Sequence, residues 1–126
     1  MTPSVDPAAL ENLWGLTGEG GGDLAAELIT LFAEQTRAIV AALQRPAPQQ
    51  DCHEARRLAH RLAGSALTLG ANGIAAIARQ IEDLAEAHHA EEIPALAAQL
   101  AELFEPTLDR LRAERDALMR RSAQSS

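Results

Sequence analysis

The sequence has no lysine and no tyrosine, one cysteine, and so few aromatic residues (one tryptophan, two phenylalanines) that they make up 2% of its 126 residues. A single cysteine excludes an internal disulfide, and no CxxC-type spacing points to a metal site, so Cys52 fits a reducing, intracellular setting. All 11 basic residues are arginine, against 18 acidic ones, for a net charge of −7. Such an acidic surface disfavours non-specific binding to nucleic acid or to anionic membranes. No run approaches the roughly 18 consecutive apolar residues of a membrane span. The opening Met-Thr-Pro-Ser-Val-Asp-Pro is also no charged leader followed by an apolar stretch, so a soluble, cytoplasmic chain is expected. Its length leaves room for one core and excludes a multidomain enzyme.

What is abundant is alanine, within a composition that is 47% hydrophobic. Helices packed through small and aliphatic side chains are therefore expected, and an all-β sandwich is not. Asp6 and Pro7 read as an N-cap and first turn opening a short helix over about 6–14. The glycine-rich stretch from Gly15 to Gly22 has no GK[ST] and no preceding strand, so it reads as a linker and not as a phosphate loop. From 23 to 45, Leu24, Leu28, Leu31, Phe32, Gln35, Ile39, Ala42 and Leu43 recur at helical steps, with Ile29 and Val40 at the edge of the stripe and assigned to the core. Pro46 and Pro48 end that helix. The next, 51–69, buries Ala55, Leu58, Ala59, Leu62, Ala66 and Leu69 and stops at Gly70. A third, 71–88, turns Ile74, Ile77, Ala78, Ile81, Leu84 and Ala85 inward. The last, 94–120, carries Leu96, Leu100, Leu103, Phe104, Leu111 and Leu118, with a kink or break expected near Glu105 because Pro106 lies inside it. Arginines from 110 to 121, interleaved with acidic residues, read as a solvated face with helical ion pairs. The expectation is an all-α, antiparallel up-down-up-down four-helix bundle with a short N-terminal capping helix, one domain over residues 1–121, and a disordered tail at 122–126.

His60 stands out because the stripe of its helix is complete without it. At about 100° per residue it lies roughly 150° from the stripe's centre, so its imidazole faces solvent. Gly64, one turn on, is an expensive residue inside an exposed helix, about 1 kcal/mol worse than alanine, and its presence implies that something approaches the ring closely. Leu67 is exposed beside it and can contribute an apolar docking patch. A neutral imidazole is nucleophilic, and a carboxylate on its other nitrogen fixes the tautomer and raises the basicity. Glu82 is the candidate: a hairpin turning at Gly70 brings it level with His60, ten residues before the turn and twelve after. The alternatives are a solvated surface histidine and a carboxylate paired along its own helix with Arg79.

Ala59-His60-Arg61-Leu62-Ala63-Gly64-Ser65, then Leu69-Gly70-Ala71, then Ile81-Glu82 resemble the signature of histidine-containing phosphotransfer (HPt) domains, whose usual form is AHxLKGS, LGA and a later LE. Gly21-Gly22-Asp23 with Leu28, Leu31 and Phe32 extends the resemblance over about residues 5–112. It implies a helical bundle that carries a phosphoryl group on His60 between a sensor histidine kinase and the aspartates of receiver domains. The chain would be monomeric, without kinase activity or cofactor of its own, and a receiver would bring the Mg²⁺. By the same resemblance Glu82 orients the imidazole and Gly64 gives clearance beside it. Gly64, Leu67, Ala63 and Leu13 are assigned to the docking face. One position departs: Ala63 stands where the family has lysine. Arg56, Arg57, Arg61 or Arg79 would then face the phosphoryl group, Arg56 and Arg57 being best placed by helical spacing. The departure keeps open a second function, a bundle that docks a receiver or kinase without accepting phosphate. His53, His88 and His89, the last two near Glu91 and Glu92, read as solvated residues and not as a metal site, because neighbouring helix positions diverge by about 100°.

Overall fold

A computed structural model of the chain describes residues 3–17 and 21–124. Five α-helices account for nearly all of it: α1 Pro7–Thr17, α2 Gly21–Leu43, α3 Cys52–Leu69, α4 Asn72–Glu86 and α5 Ile93–Gln124. In the bundle α2 packs on α3, α3 on α4, α4 on α5 and α5 back on α2, while α1 lies across α2, α3 and α5. This closed ring of neighbours is the arrangement expected of four amphipathic helices joined by short connections. Leu10 of α1 is fully buried, which makes the short helix a lid on the core. Among the described residues no helix is long and apolar enough to cross a membrane.

The helix ends follow from their sequences. Asp6 Oδ1 accepts from Ala8 N at 3.0 Å, and Asp51 Oδ1 accepts from His53 N at 3.0 Å and Glu54 N at 3.2 Å. Each cap satisfies amide groups that have no partner within the first turn. Gln50 Nε2 donates to the carbonyls of Leu43 and Arg45 at 2.7 and 2.8 Å, which finishes α2 two residues earlier than the prolines alone predict. A 3-10 turn, Ala47–Gln49, then carries the chain to α3.

The core is built from Ile29, Phe32, Ile39, Val40 and Leu43 of α2, an alanine-rich seam on α3 and α4, and the leucines of α5. Ile29 and Val40 are thus core residues, as expected. Among the described residues, the buried polar side chains are Thr36 and Thr107, which donate to Phe32 O and Leu103 O four residues back, so neither is left unpaired.

Four expectations are corrected. Leu31, assigned to the buried stripe of α2, is 59% exposed; Ala33 and Thr36 take the inward positions instead, because the buried arc centres on Phe32 and Ile29. Gly15 lies inside α1 and Gly21 and Gly22 open α2, so most of the supposed linker is helical and only residues 18–20 fall outside the described region. Helix α5 passes Pro106 without a break. Glu102, whose carbonyl loses its amide partner there, and Pro106 are both exposed, so water can satisfy that carbonyl. The same helix continues to Gln124, so residues 122–124 are not a disordered tail, and 125–126 lie outside the described residues.

The turn between α3 and α4 is the tightest point of the fold. Gly70 adopts φ 79, and its amide closes the end of α3. An N-terminal strap crosses it: Asp6 N donates to Gly70 O at 2.8 Å, Gly73 N donates to Ser4 O at 3.2 Å, and Val5 bridges Ala71. A Cβ on Gly70 would collide with the Asp6 carbonyl oxygen and lie 2.9 Å from Ala9 Cβ. Gly70→Ala is therefore expected to destabilise the protein by roughly 1–3 kcal/mol, read as a lower urea midpoint at unchanged m-value. An unchanged midpoint would show that the strap yields freely.

Candidate functional site

Helix α3 turns its alanine and leucine seam (Ala55, Ala59, Leu62, Ala63, Ala66, Leu69) to the core. His60 is thereby left on the outer face, its side chain 76% exposed. Helix α4 buries Ile74, Ala75, Ile77, Ala78, Ile81 and Ala85, which sets Glu82 on the flank of the buried arc, its side chain 20% exposed and facing α3. His60 Nδ1 and Glu82 Oε2 are 2.8 Å apart. An ionised carboxylate only accepts, so the proton of this bond belongs to Nδ1 and the lone pair of the neutral ring resides on Nε2. Nε2 is thus the nitrogen free to attack an electrophile.

The surroundings of the ring are open. Nothing lies within 4 Å of where a Cβ on Gly64 would sit, so glycine here is not a packing requirement of the fold. On the α2 side a groove of about 380 Å³ is lined by Leu28, Leu31, Phe32, Gln35, Ser65, Thr68 and Leu69. Leu31 and Leu67, the latter 41% exposed, place apolar surface around it. On the α4 side and toward the start of α3, a smaller hollow of about 190 Å³ is lined by Cys52, His53, Arg56, Ala85, Glu86 and His88.

The remaining residues singled out from the sequence are dispersed around this site. Arg56, Arg57 and Arg61 are all exposed on α3. Arg57 pairs with Glu54 at 3.6 Å. Ala63 is 5% exposed, so its assignment to the docking face is corrected: its methyl belongs to the seam with α4 and offers a partner almost no surface. Leu13 is half-buried and packs on the core. His89 Nδ1 lies 3.0 Å from Glu92 Oε2. With Glu91 these two bring ligand atoms within 4.8 Å of one another, all of them exposed, whereas His88, at φ 59, stands apart from the group. Sequence reasoning did not find Leu31 or the groove. The usable signal was that α2 carries more large apolar residues than one buried arc can hold.

A family model described as Hpt domain matches residues 27–118. The chain belongs to the Hpt family. With that membership comes the general role of its members, histidine phosphotransfer in phosphorelays. Among solved structures, histidine-containing phosphotransfer protein B (HptB) from Pseudomonas aeruginosa PAO1 is similar in fold, with TM-score 0.75 and 24% sequence identity over 93% of this chain and 98% of that one. No curated protein sequence matches the chain. The match covers α3 and α4 whole, together with the histidine, glycine and glutamate described above.

Because Gly64 has open space around it, replacing it tests what the space is for. Gly64→Ala is expected to raise stability by up to about 1 kcal/mol through helix propensity, seen as a higher melting temperature. In the same variant, transfer between His60 and a receiver domain should slow severalfold. A stabilised variant with undiminished transfer would mean that the clearance serves no partner.

Proposed function

We propose that this Hpt chain is a phosphoryl carrier in which His60 Nε2 accepts a phosphoryl group from a receiver aspartate, or from a sensor kinase, and returns it to a second receiver. The observation that carries the reading is the 2.8 Å contact between His60 Nδ1 and Glu82, which leaves Nε2 as the solvent-facing nucleophile. In the step from a receiver, the Nε2 lone pair forms the N–P bond while the P–O bond to the aspartyl carboxylate breaks. The electron pair of that bond stays on the departing oxygen. The ring keeps its Nδ1 proton and becomes a phosphoimidazolium, whose positive charge the Glu82 carboxylate offsets. The reverse sequence discharges it. No net proton transfer is required, so the site needs no further general base.

The rest of the chemistry is assigned to the partner. Phosphoryl transfer depends on a metal and on charge placed around the transferred group, and we assign the Mg²⁺ to the receiver's acidic pocket. The chain has no cofactor of its own and no kinase activity in this reading. The open face around Gly64 gives room for that pocket, and the groove beside Leu31 and Leu67 provides apolar area for a receiver helix to cover.

Phosphoramidate, a small donor that phosphorylates imidazoles without a partner protein, tests the reading directly. Wild-type protein should gain acid-labile, alkali-stable phosphate and pass it to Mg²⁺-loaded receiver domains, whereas His60→Gln should gain none. Glu82→Gln, whose amide can hold the ring in the other tautomer, should slow labelling by roughly tenfold without lowering the melting temperature. Equal labelling of wild type and His60→Gln would refute the assignment. Binding of receivers without any labelling would leave a docking module as the function.

A further inference from the structure

Phosphorylation creates a charge problem at this site that the chain must solve itself once the partner leaves. A phosphoryl group on Nε2 carries several anionic oxygens, Glu82 holds the other ring nitrogen, and the whole chain already has a net charge of −7. The positive charge of the phosphoimidazolium is already matched by Glu82, so the phosphoryl oxygens stay uncompensated unless a second cation stands beside them. With no lysine in the sequence, that cation has to be an arginine.

Helix register identifies which one. The contact between His60 and Glu82 fixes the level of α3 against antiparallel α4, so each residue forward on α3 is level with one residue back on α4. Ala63 is therefore level with Arg79, and Arg56 with Glu86. At about 100° per residue, Arg57 and Arg61 lie roughly 60° and 100° round α3 from His60, on the side where Ser65 and Thr68 meet α2. Arg57 is in addition occupied by Glu54. Arg56 lies on the α4 side, but it shares its hollow with Glu86, a carboxylate at its own level. Arg79 is exposed, precedes Glu82 by one turn on the same flank of α4, and has no side-chain partner among the described residues. By this register the small side chain of Ala63 is level with it, and the space at Gly64 is open.

We infer that Arg79 is the phosphate-facing cation of this site, reaching from α4 across Ala63 and Gly64 to the phosphoryl oxygens on His60. The inference rests on the phosphosite reading above. A guanidinium suits the task, since it stays charged and presents parallel N–H donors to two oxygens of one phosphoryl group. It also corrects the order expected from helical spacing within α3, because the missing cation comes from the facing helix.

Phosphoramidate labelling, followed by ³¹P NMR, separates this inference from its parent. Arg79→Ala should label about tenfold more slowly than wild type and lose its phosphoryl group correspondingly faster. Arg79→Lys should recover most of both, and Arg56→Ala and Arg61→Ala should stay within about twofold of wild type. Placing Ala63→Lys on the Arg79→Ala background should restore labelling, since position 63 is level with residue 79 on the facing flank. The melting temperature of Arg79→Ala should not move, because its side chain is exposed and has no ion-pair partner among the described residues. If Arg79→Ala labels like wild type while His60→Gln does not label, Arg79 is not the cation and the phosphosite stands. If wild type itself never labels, the parent reading fails first. A loss in Arg79→Ala that neither Arg79→Lys nor Ala63→Lys repairs would also overturn the inference, since charge at that level would then not be what matters.

Discussion

The site depends on one turn. Gly70 reverses the chain in a left-handed conformation, and the level at which α4 runs beside α3 is set there. A slip of one residue between the helices would shift Glu82 by about 1.5 Å along the axis and rotate it by about 100°, and its bond to His60 would be lost. The N-terminal strap guards against such a slip. Residues 4–6 bond to both sides of the turn, and Leu10 anchors the strap by filling the core below it. A segment more than fifty positions away in sequence therefore holds the geometry of the His60–Glu82 contact.

The composition explains how a carboxylate from one helix can meet an imidazole on the next. The buried faces of α3 and α4, which pack on each other, are rich in alanine: Ala55, Ala59, Ala63 and Ala66 on one, Ala75, Ala78 and Ala85 on the other. Methyl groups keep the spacing of the two helices small, and close packing leaves little freedom for either to rock. Larger residues at the fully buried positions Ala59, Ala66 and Ala78 would push the axes apart, and a glutamate would no longer span the gap. The scarcity of aromatic residues and the placement of His60 thus share one cause, a bundle held through small side chains where the site is and through leucine, isoleucine and phenylalanine elsewhere.

Much of this was legible in the sequence, for physical reasons that differ from residue to residue. The outward direction of His60 and the flank position of Glu82 follow from helical period alone, and their meeting follows from counting to Gly70, whose role as a helix stop is local chemistry. Leu31 was misassigned because α2 offers apolar residues over a wide arc, and periodicity cannot say which edge of it the neighbouring helices cover. The glycine-rich stretch was misread because glycine lowers helix propensity by only about 1 kcal/mol per residue, which the packing of α1 and α2 overrides. Pro106 was expected to interrupt α5, but an exposed helix face tolerates a proline whose freed carbonyl meets water. Nothing local announces the strap, since a contact between Asp6 and Gly70 exists only once the bundle has closed.

In the proposed reading, the exposure of His60 has an energetic consequence. A buried, fully enclosed phosphoryl site would make strong charge contacts and hold its cargo, because electrostatic interactions strengthen as water is excluded. At His60 the ring is open to solvent on the Nε2 side, its single protein partner is on the far nitrogen, and each charge contact to a phosphoryl group is weakened by water. The bound group is then held by a water-screened contact with Arg79 in the proposed arrangement and is not shielded from solvent. On that reading, a receiver that closes over Gly64 and brings a divalent cation changes both conditions at once: it excludes the water and supplies the charge. In the proposed reading, the barrier to transfer falls in the complex, where the partner supplies the charge and excludes the water.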